Sequence, residues 1–256
     1  MMAALQPLAI FGLPRSGTTW LGQLLNAHPA VLYRYQPLFS YEFKDYLAPG
    51  FSKEHIANFH HELQYATSDF VCPTHTFSKD NPTTLLYKNV RYHHLAPEML
   101  EKSPVKIIFI SRDPVEVLNS WFNAPREFYP EWDIEKEWEQ APSKNQGRPE
   151  EFFGLQGWAK AEQIHRNLAD RYPDRVKILS YQKLKQNTQA SMKELLEWAG
   201  LSFHPQIQSF ILSSADRSAN DTYSIFKKPA ALTLPEHIQA SIKERTKALD
   251  YVPYYR

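Results

Sequence analysis

A single cysteine, Cys72, is all that the 256 residues contain. No intramolecular disulfide can form, and a cysteine zinc cluster is excluded. No apolar run approaches the ~20 residues that span a bilayer. The chain enters its first apolar segment within about eight residues, without the basic and apolar regions of a secretory leader. Charge of one sign is lacking too. The 29 Lys and Arg face 28 Asp and Glu, so no global field draws the chain to nucleic acid. These absences predict a soluble, cytoplasmic protein with neither membrane nor nucleic acid as partner. What remains is an ordinary globular composition, 43% hydrophobic and 22% charged. The length allows one domain or two. With no internal repeat and no long linker, residues 1–256 read as one domain.

The most informative stretch is 8–29, LAIFGLPRSGTTWLGQLLNAHP. A short apolar run leads into a loop with Gly12, Pro14, Arg15, Ser16 and Gly17. Trp20, Leu21, Leu24 and Leu25 then fall on one helical stripe. This predicts strand, turn and helix. The glycines let backbone approach a bound group, and the free N–H groups of the first helical turn point at it. Thr18 and Thr19 add hydroxyl donors, and Arg15 adds a planar cationic fork. Such a site suits a phosphate-like anion. The spacing from Gly12 to Gly17 matches the nucleotide-binding G-x-x-x-x-G-K-[ST] loop, except that Thr18 stands in the lysine position. That lysine serves phosphoryl transfer, so its absence argues against ATP as donor.

Further along, helices are predicted over 53–66, 92–102, 150–172, 188–198, 205–213 and 235–248. His55, His60 and His61 lie on or near the first of these and read as solvated helix histidines. Residues 85–88 and 176–180 read as strands, 30–43 as a strand running into an irregular loop, and 69–84 and 216–228 as loops. Residues 122–149 read as a lid or an excursion. Strands alternating with helices predict a three-layer α/β fold of P-loop type, with a mostly parallel central sheet flanked by helices. In such sheets ligands bind at the carboxyl ends of the strands, so the loops that follow them converge.

A second strand–loop–helix unit spans 105–122, VKIIFISRDPVEVLNSWF. Arg112 lies in its loop and Ser120 about two turns into its helix. An Arg fork with a hydroxyl suits a phosphate dianion. The two motifs together resemble those of sulfotransferases that use 3′-phosphoadenosine 5′-phosphosulfate (PAPS). Their 5′-phosphosulfate loop reads like LPRSGTTWL, and their 3′-phosphate motif like SRDPVEVLNSW. The resemblance implies that Arg15, Ser16, Gly17, Thr18 and Thr19 hold the 5′ end, and that Arg112 and Ser120 hold the 3′-phosphate. It implies PAPS as co-substrate and no required metal. SYQKL at 180–184 is similar to a Tyr-x-x-Leu segment of the family. Tyr181 there packs near the nucleotide or plugs the core. SIFKKP at 224–229 sits where cytosolic members carry a basic loop over the 3′-phosphate. Lys227 and Lys228 match it, with Pro229 in place of a glycine. Trp158 and Phe226 are candidates to stack on adenine, although the place of Trp158 on its helix stripe favours a core role.

Sulfuryl transfer moves less charge than phosphoryl transfer, so fixed Arg and Lys donors can replace magnesium. Arg15 is the first choice for the bridging and leaving oxygens. Lys88, in LLYKNVR, resembles the family lysine that reaches the sulfuryl group. The base departs from pattern. Cytosolic members carry a His where this chain has Val90, and carbohydrate sulfotransferases carry a Glu where it has Gln36. Glutamine cannot accept a proton at neutral pH. Glu42 is the preferred stand-in and His75 the second, ahead of Asp80 and His93. YRYQPLF leans toward the carbohydrate branch, with Tyr33, Tyr35, Trp121 and Trp132 as residues able to stack on sugars. The expected acceptor is a hydroxyl on a small molecule or carbohydrate. Two rivals remain. A P-loop kinase would use an aspartate such as Asp113 for magnesium, and a non-catalytic nucleotide-binding protein would explain the two vacated base positions.

Overall fold

The computed structural model describes residues 4–66, 77–214 and 234–248. Cys72, His75, Phe226, Lys227 and Lys228 lie outside them. Five strands, β1 (Gln6–Phe11), β2 (Val31–Tyr35), β3 (Thr84–Asn89), β4 (Lys106–Ser111) and β5 (Val176–Ser180), form one sheet in the order β2-β3-β1-β4-β5. Every pairing is parallel. The helices are α1 (Thr18–Asn26), α2 (Lys53–Tyr65), α3 (Ala96–Lys102), α4 (Pro114–Phe122), α5 (Ile134–Glu137), α6 (Pro142–Asn145), α7 (Gly154–Arg171), α8 (Tyr181–Gln186), α9 (Thr188–Ala199), α10 (Pro205–Ser214) and α11 (Glu236–Ala248).

The strands are apolar on both faces because both faces are covered. Ala9, Phe11, Leu85, Tyr87, Ile107 and Phe109 face a core shared with α2, α3 and Leu168 of α7. Leu8, Ile10, Leu86, Ile108, Ile110 and Leu179 face the other way, against α1, α9 and α10. Those are the three layers expected. Residues 122–149 hold α5 and α6 and pack inward, with Phe128 and Ala141 in a buried cluster with Trp121 and Phe153.

Three expectations need correction. The helix predicted over 150–172 starts only at Gly154, where the backbone turns left-handed at φ 79°. A Cβ there would fall 2.7 Å from the Glu139 carbonyl oxygen, so the chain bends sharply before the helix begins. His60 is not solvated. It is buried, and its Nε2 meets Tyr87 Oη at 3.0 Å. Residues 92–102 divide into a 3₁₀ turn, His93–Leu95, and α3.

Candidate active site

β1 lies between β3 and β4, so the chain leaves the sheet in opposite directions beside its carboxyl end. A crevice opens at such a switch point. The loop after β1 enters it. Gly12 lies against the end of β4, where a Cβ would sit 2.5 Å from Ile110 Cγ2. Gly17 precedes α1 with φ 90°, and a Cβ there would sit 2.5 Å from Tyr181 Cδ2. Two constraints thus require glycine at 17, the left-handed backbone and the ring above it. No side chain caps α1 among the described residues. The first-turn amides, which have no partner inside the helix, remain available to an anion.

Arg15 is itself left-handed, at φ 71°. That is a strained conformation for a residue with a side chain. Its Nε donates to Ser120 Oγ at 3.1 Å. Its carbonyl accepts from Arg112 Nη1 at 2.7 Å. The two sequence motifs therefore form one structure. Asp113 caps α4 through Oδ1, which accepts from the amides of Val115 and Glu116. Arg112 pairs with Glu116, Nε to Oε2 at 2.9 Å, rather than with Asp113. The guanidinium carbon of Arg112 lies 4.5 Å from the centre of the Tyr181 ring. Burial pushes the Tyr181 phenol above its ordinary value, so it stays neutral. Tyr181 packs against the core on the α1 side, edge-on to Trp20, and also reaches the loop. It is wedged between Gly17 and Arg112.

Lys88 pairs in register with Ile10 of β1 and Tyr35 of β2 at the carboxyl edge. It is 1% exposed. Its ammonium donates to Thr19 Oγ1 at 2.9 Å and Thr18 Oγ1 at 3.3 Å, and lies 4.2 Å from the Tyr35 ring centre. These hydroxyl and π partners hold the buried side chain in place. Arg15, Ser16, Gly17, Thr18, Thr19, Lys88, Arg112, Ser120 and Tyr181 are thus gathered at this one edge.

The base candidates separate. Gln36 follows β2 with φ 46°, beside the Tyr35–Lys88 register pair. Glu42 is exposed on the loop beyond it. Asp80 is at the wrong edge. Its amide donates to the Pro29 carbonyl, where β2 and β3 begin. His93 is fully buried, with Nδ1 2.9 Å from His165 Nε2, and burial pushes it down to about 3. It does not reach the crevice. Among the aromatic candidates, Tyr33 and Trp121 are core residues. Trp158 is also buried, and its Nε1 donates to the Arg112 carbonyl at 3.1 Å; it supports the second motif from beneath rather than stacking on a ligand. Trp132 is half-buried against Phe128 and Tyr129.

Two carboxylates on the arginines were not among the sequence candidates. Glu116 is four residues beyond Arg112, a spacing that signals a pair along a helix. Glu127 has its Oε1 3.8 Å from Arg15 Nη1, and no local spacing marks it. Among the described residues no group of three or more His, Cys, Asp or Glu is arranged to hold a metal ion. No helix among them is long and apolar enough to cross a membrane.

No curated protein matches the sequence. Solved structures do match the fold. Mouse sulfotransferase SULT7A1 complexed with PAP superposes with a TM-score of 0.63 at 13% identity, over 96% of this chain and 84% of that one. The sulfotransferase domain from the curacin biosynthetic pathway gives 0.57 at 18% identity, over 97% and 98%. Retinol dehydratase in complex with retinol and PAP gives 0.56 at 15% identity, over 100% and 84%. At these identities the likeness is one of fold. The sulfotransferase domain family matches the sequence itself over residues 5–228. That span holds both sequence motifs and all five strands, and the chain belongs to the sulfotransferase domain family.

Proposed function

We propose that the chain transfers a sulfuryl group from PAPS to an acceptor hydroxyl, with no metal in the reaction. The observation that carries this reading is the joining of the two motifs, Arg15 Nε to Ser120 Oγ at 3.1 Å and Arg112 Nη1 to the Arg15 carbonyl at 2.7 Å. A donor with anions at both its 5′ and 3′ ends would use both arginines at once. That two of the structural relatives were solved with PAP supports it.

The donor supplies the sulfuryl group already activated as a mixed anhydride. The α1 amides and the hydroxyls of Ser16, Thr18 and Thr19 would hold its 5′ end. Arg15 would neutralise charge on the bridging and leaving oxygens, and Lys88 would face the sulfuryl oxygens. Such fixed cations act where charge develops in the transition state. Arg112 and Ser120 would hold the 3′-phosphate, with Tyr181 keeping the Arg112 plane in place. Lys227 and Lys228 are proposed as further 3′ contacts from outside the described residues.

The acceptor would approach over β2 and β3, where Gln36 can hydrogen-bond its hydroxyl. Glu42, on the same loop, is the proposed base, with His75 second. The register of QPLF with the Glu-Pro segment of the carbohydrate branch supports a carbohydrate acceptor. A cytoplasmic location and a single domain are part of the same reading. A kinase reading loses support from Thr18 and from the capping role of Asp113.

The test is PAP release from PAPS in EDTA, with a panel of saccharides, phenols and alicyclic alcohols. Acceptor-dependent release supports the proposal. PAP binding without release on any acceptor would favour a non-catalytic nucleotide-binding role.

A further inference from the structure

One carboxylate at this edge has no part in the scheme above and faces its central cation. Glu127 follows α4, with Oε1 3.8 Å from Arg15 Nη1. Its backbone is fixed. The amide donates to the Ala124 carbonyl at 2.8 Å, and the carbonyl accepts from Trp121 Nε1 at 3.1 Å. Trp121 is buried, so Glu127 is anchored to the helix that carries Ser120. Its Oε2 is buried and has no hydrogen-bond partner among the described residues. Lys144 is a second cation within its field.

The position does not suit a base. Arg15 serves the leaving side of the sulfuryl group, and an in-line acceptor arrives from the opposite side. The position does suit a competitor. Arg15 already has Ser120 on Nε and the Glu127 carboxylate 3.8 Å from Nη1, so an anion arriving at the loop meets a guanidinium whose charge is partly countered.

We propose that Glu127 sets the affinity of the site for the donor's 5′-anion: in the donor-free chain it holds Arg15, and a 5′-phosphate or phosphosulfate must compete with it for that cation. The proposal rests on the loop after β1 being the 5′ site. It makes Glu127 a positioning residue acting through Arg15, and it predicts that the natural residue binds nucleotide less tightly than a neutral one would.

The experiment is calorimetric titration of PAP into the full chain and into Glu127→Gln, Arg15→Ala and the double variant. Removing the carboxylate is expected to tighten PAP binding three- to tenfold, more at low salt, where exposed charges are less screened. The gain is expected to vanish without Arg15, the double variant matching Arg15→Ala within about twofold. Unchanged or weaker binding by Glu127→Gln would overturn the proposal. So would a gain that persists without Arg15, since the carboxylate would then be repelling the ligand directly. Failure of the unsubstituted chain to bind PAP would instead overturn the donor reading on which the proposal stands. Glu127→Ala removes the same charge and is expected to give the same gain, and ligand-free melting of each variant identifies a folding defect.

Discussion

Arg15 Nε donates to Ser120 Oγ at 3.1 Å across 105 residues of sequence. One lies in the loop after β1, the other on the helix after β4, and adjacent strands bring them together. Parallel pairing of β1 with β4 places both loops at one edge. The carbonyl of Arg15, turned by its left-handed backbone, accepts from Arg112. The 5′ and 3′ halves of the proposed donor site are therefore coupled before any ligand arrives.

Arg112→Ala is expected to weaken PAP binding by roughly 10- to 150-fold, the loss of charge-assisted bonds worth about 1.5–3 kcal/mol. Adenosine 5′-phosphosulfate, which lacks the 3′-phosphate, should lose far less, since Arg112 touches the 5′ loop only through the Arg15 carbonyl. Titration of both ligands decides. Equal losses would remove Arg112 from the 3′ site.

Lys88→Met keeps the volume of a buried side chain while deleting its charge. Turnover with an active acceptor should fall about 10²- to 10³-fold, as for other preorganised donors at a developing charge. PAP affinity should fall far less, because the proposed partner of Lys88 is the sulfuryl group, which PAP lacks. Parallel losses of turnover and binding would move Lys88 out of the catalytic role.

Gly17→Ala meets two penalties, a left-handed backbone and a contact with Tyr181 at 2.5 Å. Each strained feature of this kind costs about 1–3 kcal/mol. Together they amount to about 2–6 kcal/mol, so the melting temperature should drop by roughly 4–24 °C at this size. Gly17→Ala with Tyr181→Ala should recover part of the loss but not all, since the backbone strain remains. A neutral Gly17→Ala would contradict the geometry of the loop.

Much of this arrangement was legible in the sequence because it is local. Apolar runs gave β1, β4 and β5, helical stripes gave α1, α2 and α9, and Gly200 ended α9 in a left-handed cap at φ 84°. Both motif loops were readable for the same reason. What escaped depends on tertiary placement. Asp80 looks like a polar loop residue whichever end of the sheet it adjoins. His60 looks solvated, and His93 looks available as a base, until Tyr87 and His165 are brought against them. Glu127 looks like one more charge in an irregular stretch, and only the packing of Trp121 aims it at Arg15. The start of α7 was misplaced because 150–153 continue a plausible helical pattern until Gly154 reverses the backbone.

Acid should destabilise the fold. Burial holds His60 at about 4 and His93 at about 3, and lowers His165 as well. Between these values and the ordinary 6.5, the unfolded chain binds protons that the folded chain refuses, so stability falls as pH drops below about 6.5. Glu162 acts in the opposite sense. Burial lifts it to about 7, against the charge of Arg166, so its contribution is lost as pH rises from 4.5 through 7. Burial also lowers His28 and His94 and raises Asp113 and Glu151, so five histidines stand against three carboxyls, each group contributing up to about 1.4 kcal/mol per pH unit within its window. Thermal melts at pH 7, 6 and 5 should show a falling midpoint. A flat or rising midpoint toward pH 5 would contradict the burial of these rings as neutral groups.

The most direct test of the donor assignment is a thermal-shift titration with PAP against ADP and ATP, each with magnesium and with EDTA. At ligand about 100 times its dissociation constant the stabilisation should be ~2.7 kcal/mol, which corresponds to roughly 5–11 °C for a chain of this size. The account predicts a shift with PAP that EDTA does not change, and little or none with ADP or ATP. A shift that appears with ATP and requires magnesium would contradict it, and would return the loop after β1 to phosphoryl chemistry.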